Sequence, residues 1–556
     1  METTKQARSW QKWLKVGGLV LVLFVLAGIG ANLYLNKWIH GHLKALVKEG
    51  SKGVYQLNYQ KVHVNVFARS LSIENGELLP DTVLGRKLFS QGNGSSVLIE
   101  GKIPSLTVKR IHWMKFLFSG RLVAGELYFK NPDISLSKYE INQNDSSGKN
   151  IPGNDEAFAN NLKGVEIKDL VMENASLAYS KVKAQDAKTT TYQFKKLNLD
   201  IEGLEFNSGS ADSAEKLSFR NCNISFAEYE YRTTDSLYLI GLKDFKYSSR
   251  KRNIAIAHFY IQPRLSEKDY STKFPHQKER NDISFENLRL DGIDLWALMN
   301  EGELNIQQAE IEGGHWNVYL SRVRPLPPAR KRVVPTQQLL GISMPVSIDS
   351  LKIKKFHLDY REYNPITRKT GEIKFNDVGG MVKNITNEKD KIEKNPHLLV
   401  VLSARLMGRG DFNAKFDFML HDTTGKFAVE ARLGSMDATY LNPGFIALNK
   451  VEIKKGGVEE MRCKGMGDQN FIRGNISLLY HDLHVAVLEE DEENGGLKKK
   501  TFTSFVANIL VKNDNPRKDE PARTANNIVL KRDPKKSFFN LIWMALFTGI
   551  GQIVAA

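Results

Sequence analysis

The chain has 556 residues, enough for more than one hydrophobic core. Hydrophobic residues make up 41% and charged residues 26%, which excludes a disordered chain. The 79 Lys and Arg against 63 Asp and Glu leave a net charge of +16, which favours an anionic partner, either nucleic acid or acidic lipid headgroups. Cys222 and Cys463 are the only cysteines and lie far apart, which excludes a cysteine zinc site and leaves disulfide, free thiol and buried apolar residue open.

Residues 1–15 form a short basic tail with Lys5, Arg8, Lys12 and Lys15. Residues 16–36 predict a transmembrane helix, because Val16 to Leu35 carries no charge and a helix of that length spans roughly 30 Å, the thickness of a bilayer's hydrocarbon core. Trp10 and Trp13 fall at headgroup depth. The basic end keeps the tail in the cytoplasm and exports the rest. A cleaved signal peptide is the competing reading, with small residues from Gly28 to Ala31, although no strong A-x-A site ends the run.

Beyond Asn36 the apolar residues alternate with period two. Val62, Val64 and Val66 do so, as do Leu71 with Ile73 and Leu106 with Val108. This is the pattern of strands with one apolar face. Helical spacing is confined to short stretches, chiefly "IHWMKFLFSG" from Ile111 and "IDLWALMNEG" from Ile293. These two match at an offset of 182 residues. "SLSIENGELLPD" from Ser70 matches "NIAIAHFYIQPR" from Asn253 at 183, and "VEIKDL" from Val165 matches "VSIDSL" from Val346 at 181. The shared offset predicts two copies of one β-rich unit, at 58–206 and 240–387. A third β-rich region covers 395–512, broken by the charged "EEDEENGGLKKK" from Glu489. Residues 513–537 read as a polar, basic linker and 538–556 as an apolar C-terminal helix.

No phosphate-cradling loop, HExxH pair or G-x-S-x-G elbow is present in this sequence. In "YHDLH", His481 and His484 are three residues apart and on a strand point to opposite faces, which argues against a shared metal. "GRGDF" from Gly408 reads as a turn. The reading therefore assigns no catalytic residue, no metal and no cofactor. It also sets nucleic acid aside, because the anchor places the body outside the cytoplasm.

A long series of half-apolar strands needs a cover. A second sheet would make a sandwich or barrel, and a sheet curled into a trough could instead be filled by acyl chains. Period-two alternation fits both. In the tail, Asn540, Met544, Thr548 and Gln552 share one helical face. Such a helix fits partial membrane insertion or closure of a groove's far end, docking on the protein's own core, or a second span.

The segments "RLVAGELYFKNPDISLS" (Arg121 to Ser137) and "ELNIQQAEIEGGHWNVYL" (Glu303 to Leu320), following one N-terminal anchor, resemble the AsmA-like family of bacterial envelope proteins. "YLNPGF" from Tyr440 and the run from Ile453 to Leu488 resemble that family's later region, and the "SFFNLIW" ending from Ser537 is similar to members from Bacteroidetes-type bacteria. The resemblance implies a non-catalytic, bridge-like lipid transfer protein of the inner membrane. It would extend a β-groove through the periplasm and carry phospholipid toward the outer membrane. The expected fold is mainly β: a transmembrane helix, an elongated curled β-sheet groove built from duplicated strand-rich units, and an amphipathic C-terminal helix. The expected groove lining is Val62, Val64, Val66, Leu71, Ile73, Leu106, Val108, Ile254, Ile256, Ile348 and Ile353. The expected membrane contacts are Trp10, Trp13, Lys535, Lys536, Phe538, Phe539, Leu541, Ile542, Trp543, Leu546 and Ile550. The expected partners are phospholipids, the inner membrane and, through the C-terminal helix, the outer membrane or a protein in it. The rival expectation is a structural or assembly factor for outer-membrane biogenesis, with closed sheets and no conduit.

Overall fold

The computed structural model describes residues 29–30, 32–91, 96–140, 164–183, 189–207, 217–295, 298, 302–328, 333–490, 497–499 and 512–555. Strand accounts for 59% and helix for 19%, so the fold is mainly β, with both parallel and antiparallel pairing. The chain divides into two compact units, residues 1–231 with 244–250, and residues 232–243 with 251–556.

The first unit opens with α1 (residues 32–50), β1 (Tyr55–Asn58), β2 (Lys61–Asn65) and β3 (Ser70–Pro80). It continues with α2 (Thr82–Ser90), β4 (Val97–Lys109), α3 (Trp113–Ser119), β5 (Arg121–Lys130) and β6 (Asp133–Glu140). The long strands β7 (Gly164–Lys183) and β8 (Thr189–Asn207), then β9 (Leu217–Ser218) and β10 (Asn221–Arg232), complete it. β3 pairs with β1 and β2 on one side and β4 on the other. β4 runs antiparallel to β5 and β6, β7 runs parallel to both, and β8 and β10 follow antiparallel.

β11 (Tyr238–Ser248) contributes to both units. The second unit then runs β12 (Asn253–Pro263), α4 (Glu267–Lys273), β13 (Arg280–Asp291), β14 (Leu304–Ser321), α5 (Pro335–Leu340), β15 (Val346–Asn364) and β16 (Lys369–Thr386). After α6 (Lys389–Lys394) come β17 (His397–Leu406), β18 (Gly410–Met419), β19 (Phe427–Leu433) and β20 (Met436–Asp437). The unit closes with α7 (Asn442–Asn449), β21 (Val451–Gly467), β22 (Phe471–Glu490), β23 (Leu497–Lys499), β24 (Thr524–Lys531) and α8 (Phe538–Val554). β14 and β15 are parallel, which requires a crossover, supplied by the segment that holds α5. From β15 onward the neighbours β16, β17, β18, β19, β21, β22 and β24 are all antiparallel.

The order and pairing sense from β3 to β8 recur from β12 to β16, with β14 in the place of β5 and β6. The irregularities recur too. The β7–β8 register shifts at Met172, Ala175 and Leu177, and the β15–β16 register shifts at Ile353, Phe356 and Leu358, each 181 residues further on. Left-handed backbone appears at matched positions: Arg69 and Arg252 (φ 53° and 49°), Gly120 and Gly302 (66° and 71°), Asn174 and Lys355 (52° and 50°), Lys196 and Asp377 (53° and 52°). Ile111 N–H donates to the Arg69 carbonyl at 2.8 Å, and Ile293 N–H to the Arg252 carbonyl at 2.9 Å. A β-bulge bends its strand and sharpens its twist, so the two stretches carry the same kinks at the same places.

One sequence expectation lies largely outside the described residues and another changes here. Most of the predicted membrane helix, with Trp10 and Trp13, lies outside the described residues, and no helix among them is long and apolar enough to cross a membrane. α1 starts where the uncharged run ends and is amphipathic: Leu35 and Ile39 are buried while Lys37 and Lys44 are not. The stretch 513–537, read as a linker, contains β24, which pairs with β22, and the fully buried Asn515. Its polar composition hides a strand because only Ala525 and Ile528 of β24 are buried in the core, with Leu530 partly so.

Candidate functional site

The longest continuous feature of the second unit is the apolar face of its sheet. One row crosses it through paired neighbours: Ile311, Ile353, Gly380, Leu402, Ala414, Ala431, Cys463, Ile476 and Ala525. A second row beside it runs Leu351, Val382, Val400, Phe416, Val429, Gly465, Gly474 and Ile528. Period-two alternation places both rows on one face. The reverse face is polar: Lys415, Glu430, Arg432, Arg462 and Lys464 line an open hollow of about 990 Å³. Its charges are largely paired, Arg432 and Arg462 with Glu460 at 2.6 and 2.7 Å and Lys464 with Glu430 at 2.9 Å.

Three helices cover stretches of apolar face: α1, α8 and α7, the last packing on β16 with Leu448 against Gly371 and Gly444 against Ile373. At the C-terminal end, α8 lies on β22 and β24. Phe538 and Leu541 are buried among Phe418, Phe427, Val429 and Ile472, and Ile553 among Ile476 and Ile528. A Cβ on Gly549 would stand 2.4 Å from Ile528 Cδ1 and 2.5 Å from Ile476 Cδ1, so this glycine sets how closely the helix lies. An apolar void of about 30 Å³ remains beneath Ile542, Ala545 and Leu546. Ser537 caps the helix, its hydroxyl accepting from Asn540 N–H at 3.2 Å. In the first unit, Leu35 and Ile39 of α1 bury Val64 completely and pack on Val62, Val66 and Leu71.

Between β13 and β17 the face is different. Phe285, Leu288, Ile311, Leu351, Ile353, Phe356, Leu358, Phe375, Val378, Leu402 and Ala404 form one apolar cluster, and every member is a sheet residue. Among the described residues, no helix residue joins this cluster. Ile311, Phe356 and Val378 are buried and the others are partly buried. The five strands span four steps of about 4.8 Å, some 19 Å, on the order of one extended acyl chain. The first unit carries an aromatic band of its own on β7, β8 and β10. Tyr192 stacks on Tyr229 and Tyr231, with ring centroids 6.4 and 5.3 Å apart, and Phe194 lies 4.8 Å from Tyr229. Burial, with Tyr192 and Tyr231 alongside, pushes the Tyr229 phenol up to about 12.

The expected lining residues divide accordingly. Val62 faces Ile73, Val64 faces Leu71, Leu71 faces Val108 and Ile73 faces Leu106, so these share one face. That face is not an open groove where α1 lies on it. The sequence reading missed this because it folded the start of α1 into the membrane segment. Ile254 and Ile256 pair with Leu290 and Leu288 and are buried. Ile353 lies in the uncovered cluster. Ile348 does not accompany it: the pairing runs without a shift from Ile348 to Ile353, so residues five apart face opposite ways.

The membrane-contact expectation for the tail is corrected in the same terms. Phe538 and Leu541 are buried by the sheet, Ile542, Leu546 and Ile550 pack partly against it, and Trp543 lies edge-on to Phe445 of α7. Phe539 stays exposed, as does Lys535, while Lys536 is half-exposed. Among the described residues no group of His, Cys, Asp and Glu is arranged to hold a metal. His481 faces Glu459 at 3.3 Å, and His484 lies 3.1 Å from the Asp482 carbonyl. Burial raises both cysteine thiols, Cys222 and Cys463. No protein-family model and no curated protein matches the chain.

Proposed function

We propose that the chain is a non-catalytic envelope protein, anchored in the inner membrane by residues 16–36, whose periplasmic body takes up phospholipid acyl chains on its apolar sheet face and passes them toward the outer membrane. The observation that carries this reading is the cluster on β13–β17, continuous with the rows above and, among the described residues, joined by no helix residue. Hydrocarbon gains about 0.8 kcal/mol for each methylene it removes from water, so such a strip holds a chain by contact area alone. The kinks support it, because in each unit they bend the sheet locally, as a curled face requires. So does the resemblance to the AsmA-like family. The rival reading, a structural or assembly factor with closed sheets, is favoured by the seals that α1 and α8 make.

The test is lipid extraction from the full chain purified in mild detergent, followed by mass spectrometry. Phospholipid should co-purify and should fall several-fold in Leu402→Trp, which fills the strip without placing a charge in it. Leu402→Asp serves as a second variant, and an unchanged thermal transition shows that each variant is folded. Wild-type protein free of lipid, or lipid unchanged in both folded variants, rejects the conduit and favours closed sheets.

A further inference from the structure

The first unit exposes large apolar side chains at one end. Leu33 and Tyr34 on α1, Phe67 after β2, and Met114 and Phe118 on α3 are each at least 60% exposed, and Phe118 is 80% exposed. Separate hydrogen bonds bring their segments together. Val66 N–H donates to Asn32 Oδ1 at 3.0 Å, which ties the residue before Phe67 to the start of α1. Arg69 Nε donates to the Ile111 carbonyl at 3.2 Å, which ties the same turn to the start of α3. Leu35, Val66 and Trp113 belong to one apolar cluster, so the residues beside them crowd round its rim. Scattered exposed apolar residues are ordinary, but five on three adjoining segments are a patch.

The reason for their exposure is local. α1 turns Leu35 and Ile39 to the sheet, which sends Leu33 and Tyr34 outward. Trp113 is the α3 residue in that cluster, which turns Met114 and Phe118, four apart on one helical face, outward. Two observations indicate what covers them. The uncharged run from Val16 to Leu35 leads directly into the patch, and Leu33 and Tyr34 belong to both. Exposed cations flank it, Lys37 on α1, Arg69 in the turn and Lys115 on α3. Apolar side chains rimmed by cations suit the boundary between acyl chains and anionic headgroups.

We infer that this end of the first unit beds in a bilayer surface, with Phe67, Met114 and Phe118 inserted at headgroup depth. The surface extends the membrane contact of the uncharged segment to Phe67, Met114 and Phe118 and is distinct from the strip on β13–β17. It rests on the anchoring part of the reading above and not on the conduit.

The test uses the full chain in vesicles of phosphatidylethanolamine with phosphatidylglycerol. With Cys222→Ala and Cys463→Ala, a single cysteine is introduced as Phe118→Cys and labelled with a polarity-sensitive fluorophore. Lys102→Cys on β4 is the control. The label at 118 should emit to the blue of the control and lose several-fold in intensity when the lipids carry a nitroxide near the headgroup. Phe67→Cys should behave like position 118. If the chain floats with the vesicles but both positions emit as in water, the patch is not a membrane contact, though the anchor stands. Blue emission without nitroxide quenching means that protein covers the patch, either another chain or a second copy, and also overturns the inference. A chain that does not float with vesicles removes the anchor and the patch together.

Discussion

Tyr229 shows how the sheet's apolar face acts on one side chain. Its phenol stacks between Tyr192 and Phe194 and is held neutral up to about 12 by burial, reinforced by the neighbouring tyrosines. An unfolded tyrosine ionises near about 10. The folded value is the higher one, so Tyr229 contributes stability that is complete below about pH 10 and is lost as pH rises through about 12. Tyr229→Phe should therefore flatten the alkaline fall of unfolding free energy in that window. It should also remove one late step from the phenolate absorbance titration, and an unchanged titration would refute the assignment. Single residues also mark where sequence patterning misleads. Ile348 and Ile353 both read as inward residues of alternating strands, yet unbroken pairing puts them on opposite faces. Lys355 and Asp377, with left-handed backbone at register shifts, let the apolar series change parity while staying on its face. Nothing in a lysine or an aspartate announces that role.

At the scale of elements, α8 is the clearest case of an ambiguity that composition cannot resolve. A helix that is apolar nearly all round looks the same whether lipid or protein covers it. Here Phe538 meets Phe416, Phe418 and Phe427 at centroid distances of 6.3, 5.9 and 4.9 Å, and Gly549 lets the helix lie against Ile476 and Ile528. Phe538→Ala should cost about 3–5 kcal/mol in denaturant unfolding monitored by near-ultraviolet circular dichroism, as for other buried aromatic truncations. A loss below about 1 kcal/mol would mean that the helix is not docked in solution. The strands themselves were legible, because one-faced burial writes period-two alternation into the sequence. β24 was not, because its buried residues are too few to outweigh the polar ones around them.

For the molecule as a whole, the recurrence of strand pairing and register shifts is the feature most open to measurement. Matched offsets in the sequence expose it in three weak blocks, while the matched bulges and left-handed residues had no separate signature. Ile111 and Ile293 occupy the same place in the two stretches, each buried and each donating its N–H to a left-handed arginine. Ile111→Ala and Ile293→Ala should each destabilise by about 2–5 kcal/mol. Because they lie in different compact units, the double variant should show the sum to within about 0.5 kcal/mol in urea titrations. A large departure from additivity would mean that the stretches do not behave as separate cores. A final consequence concerns Cys463, which sits on the apolar row beside Ile542, Ala545 and Leu546. Being one of only two thiols in the chain, it is a native chemical clock. The pace at which a bulky maleimide captures it gauges how often the terminal helix lifts away, with no foreign probe engineered into the protein.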